Sequence, residues 1–186
     1  RRLEEDNLVE RYTFTNIGEE AVSLYDMGIY TPFNDNYPSA QECMNSRANV
    51  QIWEGENAAY VNAIRMGAYA PHLGLMVTEG AVKSYEIWER GRKKANSHTR
   101  GIFALNVPDM QLKPGESYSL EWYIFAHGGN DDFCNKLLER GSVLVSCDKY
   151  VYQKGEVAHV ELRSLKPLKT YRAMINGVPV AVKRKG

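Results

Sequence analysis

The chain has 186 residues, 44% hydrophobic and 25% charged, with Lys plus Arg and Asp plus Glu both at 23. Those are the proportions of a folded globular chain, and balanced charge supplies no overall field to draw in nucleic acid or an acidic membrane surface. No apolar run approaches the roughly 18 residues of a membrane span, and Cys43, Cys134 and Cys147 form no CxxC pair and leave an odd thiol, so neither a zinc cage nor a disulfide framework is signalled.

The opening, Arg1-Arg2-Leu3-Glu4-Glu5-Asp6, has no initiator Met and no apolar signal region, so the chain is expected to be a piece of a larger protein, with its localisation left open. Val9 to Thr15 alternates apolar and polar side chains with β-branched support, and Asn16-Ile17-Gly18-Glu19-Glu20 turns the chain into Ala21-Val22-Ser23-Leu24. This pattern reads as strand, turn, strand. Gly28 to Phe33 continues extended until Asn34-Asp35-Asn36-Tyr37-Pro38, where turn-forming side chains and a proline open a substantial loop carrying Ser39 to Arg47. Alternation resumes around Val50, Ile52 and Tyr60. The runs Tyr60–Met66 and His72–Thr78, separated by Gly67 and Pro71, have hairpin spacing, and Ser84–Trp88 follows. The basic run of Arg90, Arg92, Lys93 and Lys94 lacks interleaved aromatics and reads as a solvated loop.

Gly101–Leu105 is a further strand, and Lys113-Pro114-Gly115-Glu116 a turn. The clearest strand follows, with Tyr118, Leu120, Trp122 and Ile124 on one face and Ser119, Glu121 and Tyr123 on the other. After His127-Gly128-Gly129 the period changes: Asn130 can cap a short helix with Asp131 and Asp132 in its first turn, Phe133 and Leu137 on its buried stripe and Gly141 at its end. Ser142–Val145 returns to strand, the turn at Gly155-Glu156 echoes that at Gly115-Glu116, and Ile175-Asn176-Gly177-Val178 is a hairpin signal. The expected fold is all-β, a large antiparallel β-sandwich with one short helix and a C-terminal hairpin region. Residues 1–141 form the sandwich domain, and 142–186 supply additional strands that either pack back or begin a second domain.

Three stretches, Thr15 to Val22, Gly28 to Asp35 and Leu112 to Trp122, together resemble the galactose-mutarotase-like β-sandwich (supersandwich) domain of (α/α)-barrel glycoside hydrolases. The resemblance covers roughly Leu8 to His127, and the tail from Val143 looks like the opening strands of an immunoglobulin-like module. It implies a non-catalytic accessory domain of a larger carbohydrate-active protein, supporting or shaping a polysaccharide site, with adjacent domains of the same parent chain as partners and a secreted or periplasmic setting.

Sugar rings present apolar C–H faces and hydroxyl edges, so a carbohydrate surface needs aromatic platforms flanked by amide, carboxylate or guanidinium groups. Tyr30, Asn34, Asp35, Asn36, Tyr37, Arg47, Trp53 and Glu54 supply those types in and around the central loop, and His72 stands nearby in sequence. The alternative for Tyr30 and Trp53 is a place in the core, with the Asn and Asp side chains closing turns. Glu54 and Glu56, two apart, do not by themselves establish the facing carboxyl pair of a glycosidase. Mutarotation would need a Glu and a His around one ring, and His72, His98 and His127 are each alone in sequence. No cofactor or metal is expected: Asn34, Asp35 and Asn36 lack the regular acidic spacing of a calcium loop, and no GxSxG elbow, phosphate-binding glycine loop or HExxH helix occurs. A mutarotase-like enzyme and a purely structural or protein-contacting module remain the alternatives to the accessory domain.

Overall fold

The computed structural model describes residues 1–34, 39–88, 102–149, 151–167, 173–175 and 178–183. In chain order the elements are β1 (Arg2–Glu4), β2 (Asn7–Thr15), β3 (Val22–Leu24), β4 (Gly28–Asn34), α1 (Ala40–Ser46), β5 (Ala48–Trp53), β6 (Tyr60–Arg65), β7 (His72–Glu79) and β8 (Ser84–Trp88). They continue with β9 (Ile102–Asn106), β10 (Met110–Leu112), β11 (Ser117–His127), α2 (Asn130–Glu139), β12 (Leu144–Cys147), β13 (Val160–Arg163), β14 (Ala173–Ile175) and β15 (Val178–Val180). The chain divides into two compact units, Arg1–Leu137 and Leu138–Gly186.

The first unit is a mostly antiparallel β-sandwich. Its larger sheet has six strands in the order β1-β2-β11-β7-β6-β5, its smaller one three in the order β4-β9-β8, and β10 pairs with β3 as a separate two-stranded ribbon. Alternation decides the layering. Leu120, Trp122 and Ile124 of β11, Leu75 and Val77 of β7, and Val61 and Ala63 of β6 form one buried cluster with Phe33, Phe103 and Leu105 from the smaller sheet. Each fully buried side chain of this size stabilises the fold by about 1.5–3 kcal/mol, and Trp122, Leu75, Leu120 and Val61 are completely enclosed. Where β11 meets β7 the register shifts between Glu121, opposite Glu79, and Trp122, opposite Val77. Thr78 is the extra residue of this bulge, and its hydroxyl donates to the Glu121 carbonyl at 3.3 Å.

The outer face of the larger sheet is partly roofed by α2. Its Phe133 and Leu137 are buried, as the four-residue spacing predicts. Phe133 lies nearly parallel to Phe125 at 5.8 Å between ring centroids. Gly74 makes this approach possible, because a Cβ there would come within 2.5 Å of the Phe125 ring and 2.8 Å of Phe133. The helix start differs from expectation. The Gly129 carbonyl accepts from Phe133 N at 2.9 Å, while the Asn130 side chain accepts from Asn62 Nδ2 at 2.9 Å. Asn130 therefore ties the helix to β6 instead of capping it, and Asp132 Oδ2 instead accepts from Gly128 N at 2.7 Å.

A second helix stands where a loop was expected. The Ser39 hydroxyl accepts from Glu42 N at 3.1 Å, capping α1, and Cys43 is buried on its inner side. Among the described residues no helix is long and apolar enough to cross a membrane.

The second unit pairs β12 with β13 and β14 with β15, both antiparallel. Asn176 and Gly177, the expected hairpin turn, lie outside the described residues, but the flanking Ile175 and Val178 are paired as that turn requires.

Candidate functional site

The sequence-predicted residues that the structure describes do not gather into one cluster. Tyr30 and Trp53 each follow a residue of the core-packed set, Ile29 and Ile52. In an extended strand neighbouring side chains face opposite ways, so Tyr30 lies on the outer face of the smaller sheet and Trp53 on the outer face of the larger one. The two residues are 43% and 37% exposed, which removes both from the core. Asn34 ends β4 opposite Ile102, and Asp35, Asn36 and Tyr37 lie outside the described residues. Arg47 follows α1 and its Nη2 donates to Glu42 Oε1 at 2.7 Å, so its guanidinium braces the helix. Glu54 is exposed immediately after β5.

His72 is buried, 5% exposed, and on the same outer face as Trp53 but well along β7. Its Nδ1 accepts from Arg65 N at 3.2 Å, and its ring lies 5.4 Å from that of His127, the residue opposite it on β11. His127 in turn packs on Phe133 at 5.2 Å, its Nδ1 lying 3.1 Å from the Gly129 carbonyl oxygen. Burial pushes the His127 pKa below the ordinary histidine value of 6.5, and the neighbouring His72 ring acts in the same direction. The nearest carboxylate on α2, Asp132, is held below its usual range by Lys136, whose Nζ is 2.8 Å away, and by the Gly128 N–H. The two histidines are thus packed between sheet and helix.

Sequence reasoning missed a buried polar group around Glu10. Glu10, 4% exposed, accepts from Trp122 Nε1 at 3.0 Å and Tyr12 OH at 3.3 Å and pairs with Arg1 Nε at 2.5 Å. Burial and the adjacent Glu10 push the Tyr12 phenol up, so Tyr12 stays a donor. Beside this group runs a groove of about 370 Å³ lined by Arg1, Tyr12, Phe14, Met27, Ile29 and Tyr30, where β2 passes β4. A second network joins Glu121 to Arg2 Nη1 at 3.1 Å and Arg11 Nη1 at 3.5 Å. Burial alone would raise the Glu121 carboxyl, but the two guanidinium groups and the Thr78 hydroxyl bring it below its ordinary value. Apart from Tyr12 and Arg1, these partners come from strands far away in sequence, and only the mid-strand Glu10 in an otherwise alternating run signals the first network. Among the described residues no three His, Cys, Asp or Glu side chains stand close enough to hold a metal ion.

The arrangement offers aromatic and amide surfaces together with two buried carboxylates, Glu10 and Glu121, that are occupied by internal donors. A solved structure of a polysaccharide lyase is similar to the whole chain, with 69% sequence identity and a TM-score of 0.89. It covers 100% of this chain, which spans 28% of the length of that one. No family model matches, and no curated protein does.

Proposed function

We propose that this chain is an accessory β-sandwich of a larger carbohydrate-active protein of the polysaccharide-lyase kind, a part that supports or shapes a polysaccharide site while bond breaking is completed by other polypeptide. The observation that carries the reading is the end-to-end similarity to about a quarter of one lyase. The site geometry supports it, since Glu10 and Glu121 are occupied by internal donors and His72 and His127 are enclosed beneath α2. That neighbour is a lyase, whereas the sequence motifs suggest hydrolases, and the two differ in the chemistry expected of the parent. A lyase needs a base to remove the proton beside a carboxyl group and leaves an unsaturated sugar end, whereas a glycosidase needs two facing carboxyl groups and a water.

Tyr30, with the groove beside it, and Trp53 are the expected carbohydrate contacts of the first unit; Asn34, Asp35, Asn36, Tyr37 and Glu54 belong to the same proposal. His72 and Arg47 act through packing. A boundary near Gly141, followed by the start of an immunoglobulin-like module, completes the proposal. It is supported by the left-handed backbone of Gly141 (φ 88°) and by the exposed Val160, Leu162 and Val178, which strands of a fuller module would cover.

The test is to incubate the full-length protein that contains this chain with a panel of acidic polysaccharides. Ultraviolet absorbance from unsaturated sugar ends is expected. New reducing ends without that absorbance would assign hydrolysis and contradict the proposal, as would no cleavage of any member.

A further inference from the structure

Trp53 is exposed, yet its ring is packed against Tyr60 and Gly55. On β5 the inward residues Val50 and Ile52 pack on the core, while Asn49, Gln51 and Trp53 are exposed on the outer face. Strand β5 ends the sheet order among the described strands, so this face borders an open edge. The Trp53 ring lies 6.4 Å from that of Tyr60 with 24° between their planes, and Tyr60 meets Phe133 edge-on at 5.5 Å. At its Nε1 edge the indole rests against Gly55, where a Cβ would fall 2.2 Å from Trp53 Nε1. The turn that presents this glycine is closed by Ala58 N donating to the Gly55 carbonyl at 2.9 Å. An indole fixed in this way loses little further conformational freedom when a ligand settles on it, which is the requirement for a pre-organised contact.

We propose that Trp53 is the platform of a polysaccharide subsite that takes a neutral sugar ring, with the Gln51 and Asn49 amides reaching hydroxyl groups of the same chain. Stacking of an aromatic ring on the apolar face of a sugar suits an indole with one flank open, and amides two and four residues back on the same strand face line up along an extended chain. The neutral class follows from charge. Glu54 and Glu56 are exposed on the turn that seats the indole, so a uronate placed there would meet like charge, whereas the hydroxyls of a neutral ring would find acceptors. The inference rests on the carbohydrate-active reading above and assigns the neutral residues of the polysaccharide to this face.

The experiment is affinity electrophoresis of the 186-residue chain through gels containing xyloglucan, galactomannan, dextran or polygalacturonate. Retardation is expected in at least one neutral gel and weaker or absent in polygalacturonate. Trp53→Ala should weaken the neutral binding by about five- to tenfold, the scale of one aromatic contact, Trp53→Phe should retain most of it, Gln51→Ala should weaken it less, and Tyr25→Ala should leave it unchanged. Circular dichroism of each variant checks folding, and Gln51→Ala, exposed and away from the core, keeps the test open if Trp53→Ala unfolds. Binding unchanged in Trp53→Ala, stronger binding to polygalacturonate, or no retardation in any gel would overturn the inference. Because no cleavage is measured, a full-length protein without elimination activity would sink the lyase reading while leaving this result standing.

Discussion

Trp122 joins the apolar core to the buried carboxylate of Glu10, since its ring is fully enclosed while its Nε1 donates to Glu10 Oε2. Trp122→Phe keeps most of the apolar area but leaves Glu10 short of a donor, so a loss of about 1–3 kcal/mol is expected from denaturant unfolding. Gly74→Ala should cost a similar amount, about 1–3 kcal/mol, because the new methyl drives Phe125 and Phe133 apart; an unchanged midpoint would show that α2 does not press on the sheet at that point. Individual side-chain directions were legible in the sequence. The inward turn of Leu120, Trp122 and Ile124 follows from alternation, and so does the outward turn of Trp53 once Ile52 is inside. The partners were not legible, because Trp122 and Glu10 meet only through the register of β11 on β2, a pairing 112 positions apart in sequence. For the same reason Tyr30 and Trp53, close in sequence and expected around one loop, stand on opposite outer faces.

At the scale of elements, the contact between β11 and α2 carries a pH dependence, since His127 of β11 packs on Phe133 of α2. The folded pKa of His127 lies below its unfolded value near 6.5, so in the interval between them the unfolded chain binds a proton that the folded chain refuses. Its contribution is therefore fully present above about 6.5 and is lost as pH falls toward the folded pKa. Melting temperature should drop as pH falls below about 6.5, and His127→Gln should flatten that slope; an identical slope in the variant would assign it to other groups. Glu121, whose folded pKa is depressed, contributes in the other range, present above its ordinary value of 4.5 and lost on further acidification. The helices differ in how well the sequence announced them. For α2 the stripe of Phe133 and Leu137 was enough, although its cap shifted to the Gly129 carbonyl because Asn130 is drawn to Asn62. For α1 the signal was Ser39 followed three residues later by Glu42, a capping-box pattern hidden among loop-forming neighbours. The repeated glycine–glutamate turn is a real structural echo: Glu116 and Glu156 each accept, through Oε2 at 2.8 Å, from the backbone N–H three residues earlier, and Gly115 and Gly155 both have positive φ.

For the whole molecule, composition and alternation were sufficient to identify an all-β sandwich, because each strand declares which face is apolar. The strand order of the sheets was not, since β2, β11 and β7 are neighbours despite the segments between them. Stability should be uneven. The first unit encloses a continuous core, whereas Val151, Val157 and Leu165 of the second are 83%, 70% and 66% exposed, so amide exchange should be slowest in β6, β7 and β11 and fast across β12 to β15. Comparable protection in both units would mean that the second has a core of its own. The proposed role of this sandwich is to serve a polysaccharide site without breaking bonds itself. The most direct measurement is the absorbance of unsaturated ends when the isolated chain and the full-length protein, at equal concentration, are given the same acidic polysaccharide: the trace should stay at the buffer rate for the chain and rise for the full-length protein, and a rise with the chain alone would contradict the claim.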